Sequence, residues 1–258
     1  MKTKNVLTLV VISMIAFACG HKADSTEQTM TTASTCIEGD STIYGLACDG
    51  CNDTVVVFLR SPYNGSDPDT LNILDATRHH RVFGRPLIGD QLAIIRNAAD
   101  TTIADLLIVT EDLQAQWCYR VLPTLRERAD MEGVRTAELP DSVKALLSVE
   151  REYGFQLKNE GVAFPIGMGY RAATTDEEEE VVYPELTRYF EWHIYNGQLV
   201  LESSMTDSLK QRHITVSDTA EITMLSPDTL VLRFSDHEQG YYKRRVVTET
   251  ENEEKKDE

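Results

Sequence analysis

Residues 189–202 read YFEWHIYNGQLVLE, and this stretch decides the fold class that the sequence predicts. Apolar residues alternate with polar ones from Phe190 to Ile194, which is the period-two pattern of a strand with one buried face. An Asn-Gly pair follows at 196–197. This pair is favoured in two-residue hairpin turns because both turn residues need a positive φ. The stretch therefore predicts a β-hairpin.

The residues after this hairpin continue the pattern of short strands and tight turns. Ser-Pro-Asp at 226–228 and the polar run 235–239 separate apolar runs and are typical connectors. Consecutive hairpins form an up-and-down meander, and closing the meander into a barrel removes exposed strand edges. The strands predicted here are 213–216, 221–225, 229–234 and 240–245.

Strands also dominate the sequence before residue 189, and helical spacing occurs in one place. Val143, Leu146 and Leu147 are spaced as on one helix face. Asp141 is a capping residue at its start, and Gly154 is expected to end the helix. The predicted class is therefore all-β with one short helix. The upstream strands predicted are 54–59, 90–95, 103–109 and 117–122.

The N-terminus has the pattern of an export signal. Two lysines precede an uncharged, mainly apolar run at 6–17, whereas a membrane-spanning helix needs roughly 20 apolar residues. The run ends in AFACG, residues 16–20, which resembles the lipobox of bacterial lipoproteins, although Phe17 departs from the residues favoured there. The resemblance implies cleavage after Ala18 and lipid attachment to Cys19. An ordinary secretory signal cut after Ala18 is the alternative.

Composition and charge limit the classes of protein to which the mature chain can belong. The chain has 258 residues, of which 41% are hydrophobic and 26% charged, as in globular proteins of one or two domains. Its net charge is −17, and removing residues 1–18 takes away two lysines and no acid, which gives −19. Nucleic-acid backbones and anionic membrane surfaces repel a protein with this large negative charge. We therefore predict no nucleic-acid partner.

The sequence predicts five segments. Residues 1–18 are the signal peptide. Residues 19–35 form a flexible tether, and residues 247–258 form a disordered acidic tail, because both are too polar to offset the entropy of ordering. Between them, residues 36–112 and 113–246 are predicted as two β domains.

Residues 113–246 resemble the lipocalin-like lipoproteins of Gram-negative anaerobes. The motif LQAQW at 113–117 resembles the opening strand of lipocalin-like domains, without their usual glycine. The stretch WHIYNGQLVLES at 192–203 and the strand PDTLVL at 227–232 follow in the same order. An insertion at 126–153, which contains the helix, lies where such barrels carry a long loop. The resemblance implies an up-and-down barrel in a protein that is anchored at the outer membrane. Both the periplasmic and the outer face of that membrane are compatible with it.

Residues 36–112 are similar to a small five-strand barrel of the OB type. The motifs that indicate this are NILDA at 72–76, RVFGRP at 81–86 and IGDQLAI at 88–94. Short strands separated by glycines also fit an SH3-like barrel or a small sandwich. The sequence therefore leaves these alternatives open.

The sequence favours a binding module over an enzyme. It contains none of the motifs G-x-S-x-G, S-x-x-K or H-E-x-x-H, and we expect no cofactor. Barrels of about eight strands can hold one small apolar or amphipathic ligand. An accessory protein of an envelope complex is the alternative, and a hydrolase or isomerase on a barrel scaffold is less supported. The predicted lining, which serves equally well as a filled core, is Trp117, Phe190, Trp192, Ile194, Leu230, Leu232 and Phe234.

Four cysteines remain once Cys19 is lipidated. Two of them have CxxC spacing at 48–51, but the second CxxC pair of a zinc knuckle is absent, so we predict no metal. An oxidising compartment favours disulfides, and free thiols are the alternative. His79-His80 and the acidic run 176–180 are interpreted as solvated surface. The cysteines available for disulfides are Cys36, Cys48, Cys51 and Cys118.

Lipidation can be tested at Cys19. We expect metabolic labelling with an alkyne fatty acid to mark the wild-type chain but not Cys19→Ser, because the acyl groups are attached to this residue. Cys36→Ser removes a nearby cysteine and should leave labelling unchanged. A disulfide map that places Cys19 in a bridge would contradict the prediction.

Overall fold

The computed structural model describes residues 37–126, 139–167, 181–207 and 211–245, all of which belong to one compact unit. Several sequence predictions fall elsewhere on the chain. The signal peptide 1–18, the tether 19–35, Cys19, Cys36, the acidic run 176–180 and the tail 247–258 lie outside the described residues.

The first half of the described chain forms a small barrel, called here the first barrel. Its elements are β1 (Ile43–Ala47), β2 (Val55–Arg60), β3 (Asp69–Asn72), α1 (Leu74–Arg78), β4 (Val82–Phe83), β5 (Gln91–Arg96) and β6 (Ala104–Val109). The six strands are arranged in the order β3-β2-β1-β5-β6-β4, and a parallel bridge between Asn72 and Ile103 brings β3 back to β6. The sheet thus curves into a partly open ring, and the OB-type assignment stays a prediction.

Alternation along these strands builds the interior of the first barrel. Val56 and Phe58 on β2 are fully buried, as are Leu92 and Ile94 on β5, because every second side chain of a strand points to the same face. Together with these four, the interior contains ten buried apolar residues, namely Ala47, Val56, Phe58, Leu71, Ile73, Leu92, Ile94, Ala104, Leu107 and Val109.

The histidine pair lies at the surface, at the end of helix α1. His79 and His80 follow helix α1 instead of lying on a strand, and both are exposed. His79 Nδ1 is 2.8 Å from the carbonyl oxygen of Asp75, and His80 has a φ of 56°. Both side chains thus lie on the surface, and they follow a helix, not the strand that an alternating pattern would place them on.

The second half of the described chain forms an eight-stranded antiparallel barrel, called here the second barrel. The strands and α-helices of this half are α2 (Thr110–Leu113), β7 (Gln116–Val121), β8 (Thr124–Leu125), α3 (Asp141–Leu147), β9 (Arg151–Leu157), β10 (Ala163–Ile166), β11 (Val181–Val182), β12 (Glu191–Tyr195), β13 (Gln198–Thr206), β14 (Arg212–Leu225), β15 (Thr229–Arg233) and β16 (Glu238–Lys243), and a short 3-10 helix (Asn159–Gly161) lies between β9 and β10.

The second barrel is an up-and-down meander that is nearly closed. Its order is β10-β9-β7-β16-β15-β14-β13-β12, while β8 and β11 pair separately. A bridge between Val162 and Glu191 joins the two ends of the order, and the amide of Ala163 donates to the carbonyl oxygen of Phe190 at 2.8 Å. The all-β class is confirmed, and the meander has the predicted connectivity.

Three local predictions differ from the structure. The helix α3 ends at Leu147 and has no side-chain cap, and Gly154 lies within β9. The LQAQW motif starts in a helix, because Leu113 ends α2 and the strand begins at Gln116. The segments predicted as strands 213–216 and 221–225 are one continuous strand of 14 residues.

The Asn-Gly turn connects the two barrels. Asn196 and Gly197 have φ values of 49° and 75°, as the predicted hairpin turn requires. The amide of Asn196 donates to Asp40 Oδ1 at 2.9 Å, and the amide of Ser41 donates to Asn196 Oδ1 at 2.8 Å. The hydroxyl of Tyr44 on β1 donates to the carbonyl oxygen of Ile194 at 2.6 Å. The turn is therefore held by the first barrel.

A shared apolar core accompanies these hydrogen bonds. Phe83, Ala93 and Ile108 of the first barrel are buried in the same cluster as Trp117 and Leu199 of the second. Consecutive turns of an up-and-down meander lie at alternate ends of the barrel. The docked end therefore carries the turn at 196–197, and the opposite end carries the connection at 234–237.

Within the described ranges, no helix has the length and apolar character needed to cross a membrane.

Gly154 allows β9 to approach β7. A methyl group added at Gly154 would overlap the carbonyl oxygen of Trp117 and lie 2.9 Å from Cα of Cys118. We therefore expect Gly154→Ala to lower the free energy of unfolding by about 1–3 kcal/mol, measured by urea denaturation. Gly240→Ala on β16 is the matched control, because nothing lies within 4 Å of its added methyl. Equal losses for the two variants would contradict the explanation.

Candidate binding site at the open end of the second barrel

A cleft of about 470 Å³ opens at the end of the second barrel opposite the docked first barrel. Strands β7, β9, β14 and β16 contribute side chains from inside the ring, and the segments before β12 and after β15 form the rim. The residues that determine its chemistry are Tyr119, Phe155, Tyr189, Asp218, Gln239 and Tyr241.

Four aromatic rings form a connected wall of this cleft. The ring centroids of Tyr119 and Tyr241 are 5.4 Å apart at an interplanar angle of 89°. Phe155 lies 5.1 Å from Tyr241 and 6.2 Å from Tyr189. Edge-to-face packing of this kind stabilises the rings against each other. The wall is therefore a rigid surface whose hydroxyl groups are its polar features.

Tyr189 and Asp218 form the shortest polar contact of the site. The hydroxyl of Tyr189 donates to Asp218 Oδ2 at 2.5 Å. Burial raises the pKa of Tyr189 well above its usual value, and the hydrogen bond to Asp218 raises that pKa further. Burial also raises the pKa values of Tyr241 and Tyr119. All three hydroxyls are consequently protonated at neutral pH, so they can donate hydrogen bonds.

The charged groups of the lining are acidic. Glu185, Asp218 and Asp236 line the cleft, and the part of the chain that the structure describes contributes no lysine or arginine to it. His237 lies 2.7 Å from Asp236 through Nδ1 and stacks on Phe234 at 4.9 Å. The open end of the barrel is thus a negative, aromatic surface.

The residues predicted as ligand lining or core occupy three different environments. Phe190 is 42% exposed and lies just before β12. Phe234 is partly buried and lines the cleft. The other five, Trp117, Trp192, Ile194, Leu230 and Leu232, are buried together inside the barrel.

Trp117 occupies the docked end of the barrel interior. It has no exposed surface, and its Nε1 donates to the carbonyl oxygen of Leu113 at 2.7 Å. Leu199, Leu201 and Ala220 pack in the same cluster and are also fully buried. Side chains therefore fill the described interior near the first barrel, and the cleft lies at the other end.

The three described cysteines are free thiols. Cys48 and Cys51 are half-buried in the turn between β1 and β2, where Cys51 Sγ lies 3.3 Å from the carbonyl oxygens of Cys48 and Val57. Cys118 is buried on β7, and burial raises the pKa of its thiol. Because Cys36 lies outside the described residues, the disulfides stay a prediction. No group of metal-ligating side chains occurs in the described ranges.

Most of the residues that form the cleft were not predicted from the sequence. Tyr119, Asp218 and Tyr241 lie on three different strands, and Tyr189 precedes a fourth. Each is an ordinary strand residue in isolation. One signal was available: Asp218 occupies the same alternating face as the buried Ala220 and Ile222, where an acid is out of place.

Comparisons with known proteins identify no family for this chain. No protein-family model matches the chain, and no curated protein sequence matches it significantly. The crystal structure of a lipocalin-like protein from Bacteroides thetaiotaomicron is similar at a TM-score of 0.27 and 18% sequence identity. That alignment covers 52% of this chain and 97% of the other.

Tyr189 should make stability depend on alkaline pH. Its pKa in the folded chain is raised above the usual 10.0, so the stabilisation is complete below about pH 10 and is lost as pH rises through the folded-state pKa. We expect Tyr189→Phe to lower the free energy of unfolding at pH 7 by about 1–3 kcal/mol and to weaken its alkaline decline. Denaturation between pH 7 and pH 11 measures both effects.

Tyr153→Phe is the matched control for this variant. Tyr153 is also buried inside the barrel, and its hydroxyl has no hydrogen-bond partner within the described ranges. If Tyr153→Phe and Tyr189→Phe cost the same stability, the contact to Asp218 is not what stabilises this end of the barrel.

Proposed function

We propose that this chain is an envelope lipoprotein whose second barrel binds a small molecule, without catalysis, in the cleft at its open end. The observation that supports the binding role is the cleft itself, a concave site with an aromatic wall and convergent polar groups. The lipocalin-like character of the barrel agrees with such a role, since barrels of this size hold single small ligands at their mouths.

The docking of the first barrel restricts where a ligand binds. One end of the second barrel is covered by the Asn196-Gly197 contact and by the shared core. The described interior beyond it is packed with side chains. A ligand therefore enters from the opposite end and rests against Tyr119, Tyr189 and Tyr241, instead of occupying the length of the barrel.

The protonation state of the tyrosines fits a binding role for these three side chains. Burial raises the pKa values of Tyr119, Tyr189 and Tyr241, so these hydroxyls do not become bases or nucleophiles at neutral pH. General acid–base chemistry requires a group that exchanges its proton near the working pH. The three hydroxyls instead keep their protons, and that of Tyr189 is donated to Asp218.

Attachment through Cys19 is part of the proposal. The lipobox-like sequence supports a lipid anchor, and a tether of residues 19–35 would hold the barrels away from the bilayer. Because the chain carries a large negative charge, it would be repelled by an anionic lipid surface. We propose an outer-membrane location and leave both faces of that membrane as outcomes of protease shaving of whole cells.

A second candidate, docking to an envelope protein, is favoured by the ribbon of β13 and β14. Met205 and Ile214 are 66% and 55% exposed at its far end, and β14 is exposed from Arg212 to Ser217. Exposed apolar side chains on a projecting ribbon are suited to contact another protein. Crosslinking in intact cells tests this role, and recovery of the isolated chain alone would count against it.

The binding role can be tested by blocking the cleft. Gln239 lines the cleft, and it pairs with the buried Leu232, so its side chain points inward. We expect native mass spectrometry of the chain purified from its own host to show a bound small molecule, and Gln239→Trp to lose it because the indole fills the cleft.

Glu238→Trp is the matched control. Glu238 precedes Gln239 on β16 and points to the opposite, exposed face, where it pairs with Arg233. This variant should keep the bound molecule. A wild-type chain without any bound molecule, or equal loss in both variants, would overturn the proposed site.

A further inference from the structure

We infer that the ligand of the proposed site is a small organic cation, such as a quaternary ammonium compound, held between Asp218 and the tyrosine wall. The inference rests on the proposed function and adds the chemical class of the ligand. Three observations support it: an uncompensated carboxylate, the arrangement of the rings, and the sign of the charge around the cleft.

Asp218 is a half-buried carboxylate without a positive partner among the described residues. Its described hydrogen bond comes from the neutral hydroxyl of Tyr189, and none of the ion pairs among the described residues includes it. By contrast, Glu221, three residues further along β14, pairs with Arg233 at 3.2 Å. A carboxylate removed from water is unfavourable unless a charge of opposite sign lies nearby. A cationic ligand would supply that charge.

The aromatic wall is suited to the same group. Tyr119 and Tyr241 meet at 89°, and Phe155 connects them to Tyr189. All four rings belong to the lining of the cleft, and the electron-rich faces of aromatic rings attract cations. A quaternary ammonium group fits this environment well because it has no N–H groups that require hydrogen bonds.

The surrounding charges disfavour the opposite class of ligand. Glu185 and Asp236 add two acids to Asp218 in the lining, and the described residues there provide no lysine or arginine. A fatty acid or a phosphate would meet the like charge of Asp218, which is half-buried, and of two more exposed acids, and like charges repel each other. The mouth therefore selects against anionic amphiphiles, although the sequence alone predicted an apolar or amphipathic ligand.

A pair of probes that differ only in charge tests the inference. Choline and its neutral isostere 3,3-dimethyl-1-butanol have the same shape. Each is titrated into the full chain in a non-ionic maltoside detergent, because a zwitterionic detergent would carry a competing ammonium group. Calorimetry measures the affinities, and spectra of a chain labelled with ¹³C-tyrosine report the rings of Tyr119, Tyr189 and Tyr241.

We expect choline to bind about 10- to 30-fold more tightly than the isostere and to shift the tyrosine ring signals. Asp218→Asn keeps an oxygen that accepts from Tyr189, and it should remove this preference. Glu221→Gln removes one charge from the same strand outside the cleft, and it should keep the preference. Thermal denaturation checks that both variants are folded.

The outcomes separate the ligand class from the proposed function. Equal affinity for the two probes, or a preference that survives Asp218→Asn, overturns the cationic ligand while the binding site stands. The same holds if neither probe binds but the molecule that co-purifies from the host is neutral or anionic. If neither probe binds and nothing co-purifies, both the ligand class and the proposed function are wrong.

Discussion

The structure depends on the burial of one face of the first barrel against one end of the second. Phe83, Ala93 and Ile108 belong to the same apolar cluster as Trp117, and the Asn196-Gly197 turn is held by hydrogen bonds from the amino-terminal side of the chain. Burial of apolar surface is the main favourable term in folding. This contact makes the two rings one body, and it leaves the second barrel with a single open end.

The character of that open end follows from the same arrangement. Large apolar side chains fill the ring near the first barrel, whereas Tyr189, Asp218 and Tyr241 occupy the ring where it meets water. A polar group is tolerated at a partly solvated rim more readily than in a closed core. The chain therefore separates two tasks within one barrel: the docked end stabilises the fold, and the open end presents aromatic rings and acids.

Much of the strand pattern could be predicted because it is a local property. The strand predicted at 54–59 is β2 with a shift of one residue, and the turn at 196–197 has the positive φ values that Asn-Gly favours. The predictions that differed depended on distant contacts. Gly154 resembled a helix terminator, but it is conformationally free to lie in a strand, where it lets Trp117 of β7 approach closely. The length of β14 likewise depends on its neighbours on both sides.

By itself, the sequence determined the all-β class, the meander order and the Asn-Gly hairpin, and it motivates the proposed anchor at Cys19. These features can be predicted from the sequence because alternation, turn residues and the short apolar run at the N-terminus are each defined by neighbouring residues. Only the tertiary structure decided which end of the barrel is open and which side chains meet there. Tyr119, Tyr189, Asp218 and Tyr241 are separated by up to 122 positions in the chain, and only closure of the ring brings them together, because strand pairing connects residues without regard to their spacing.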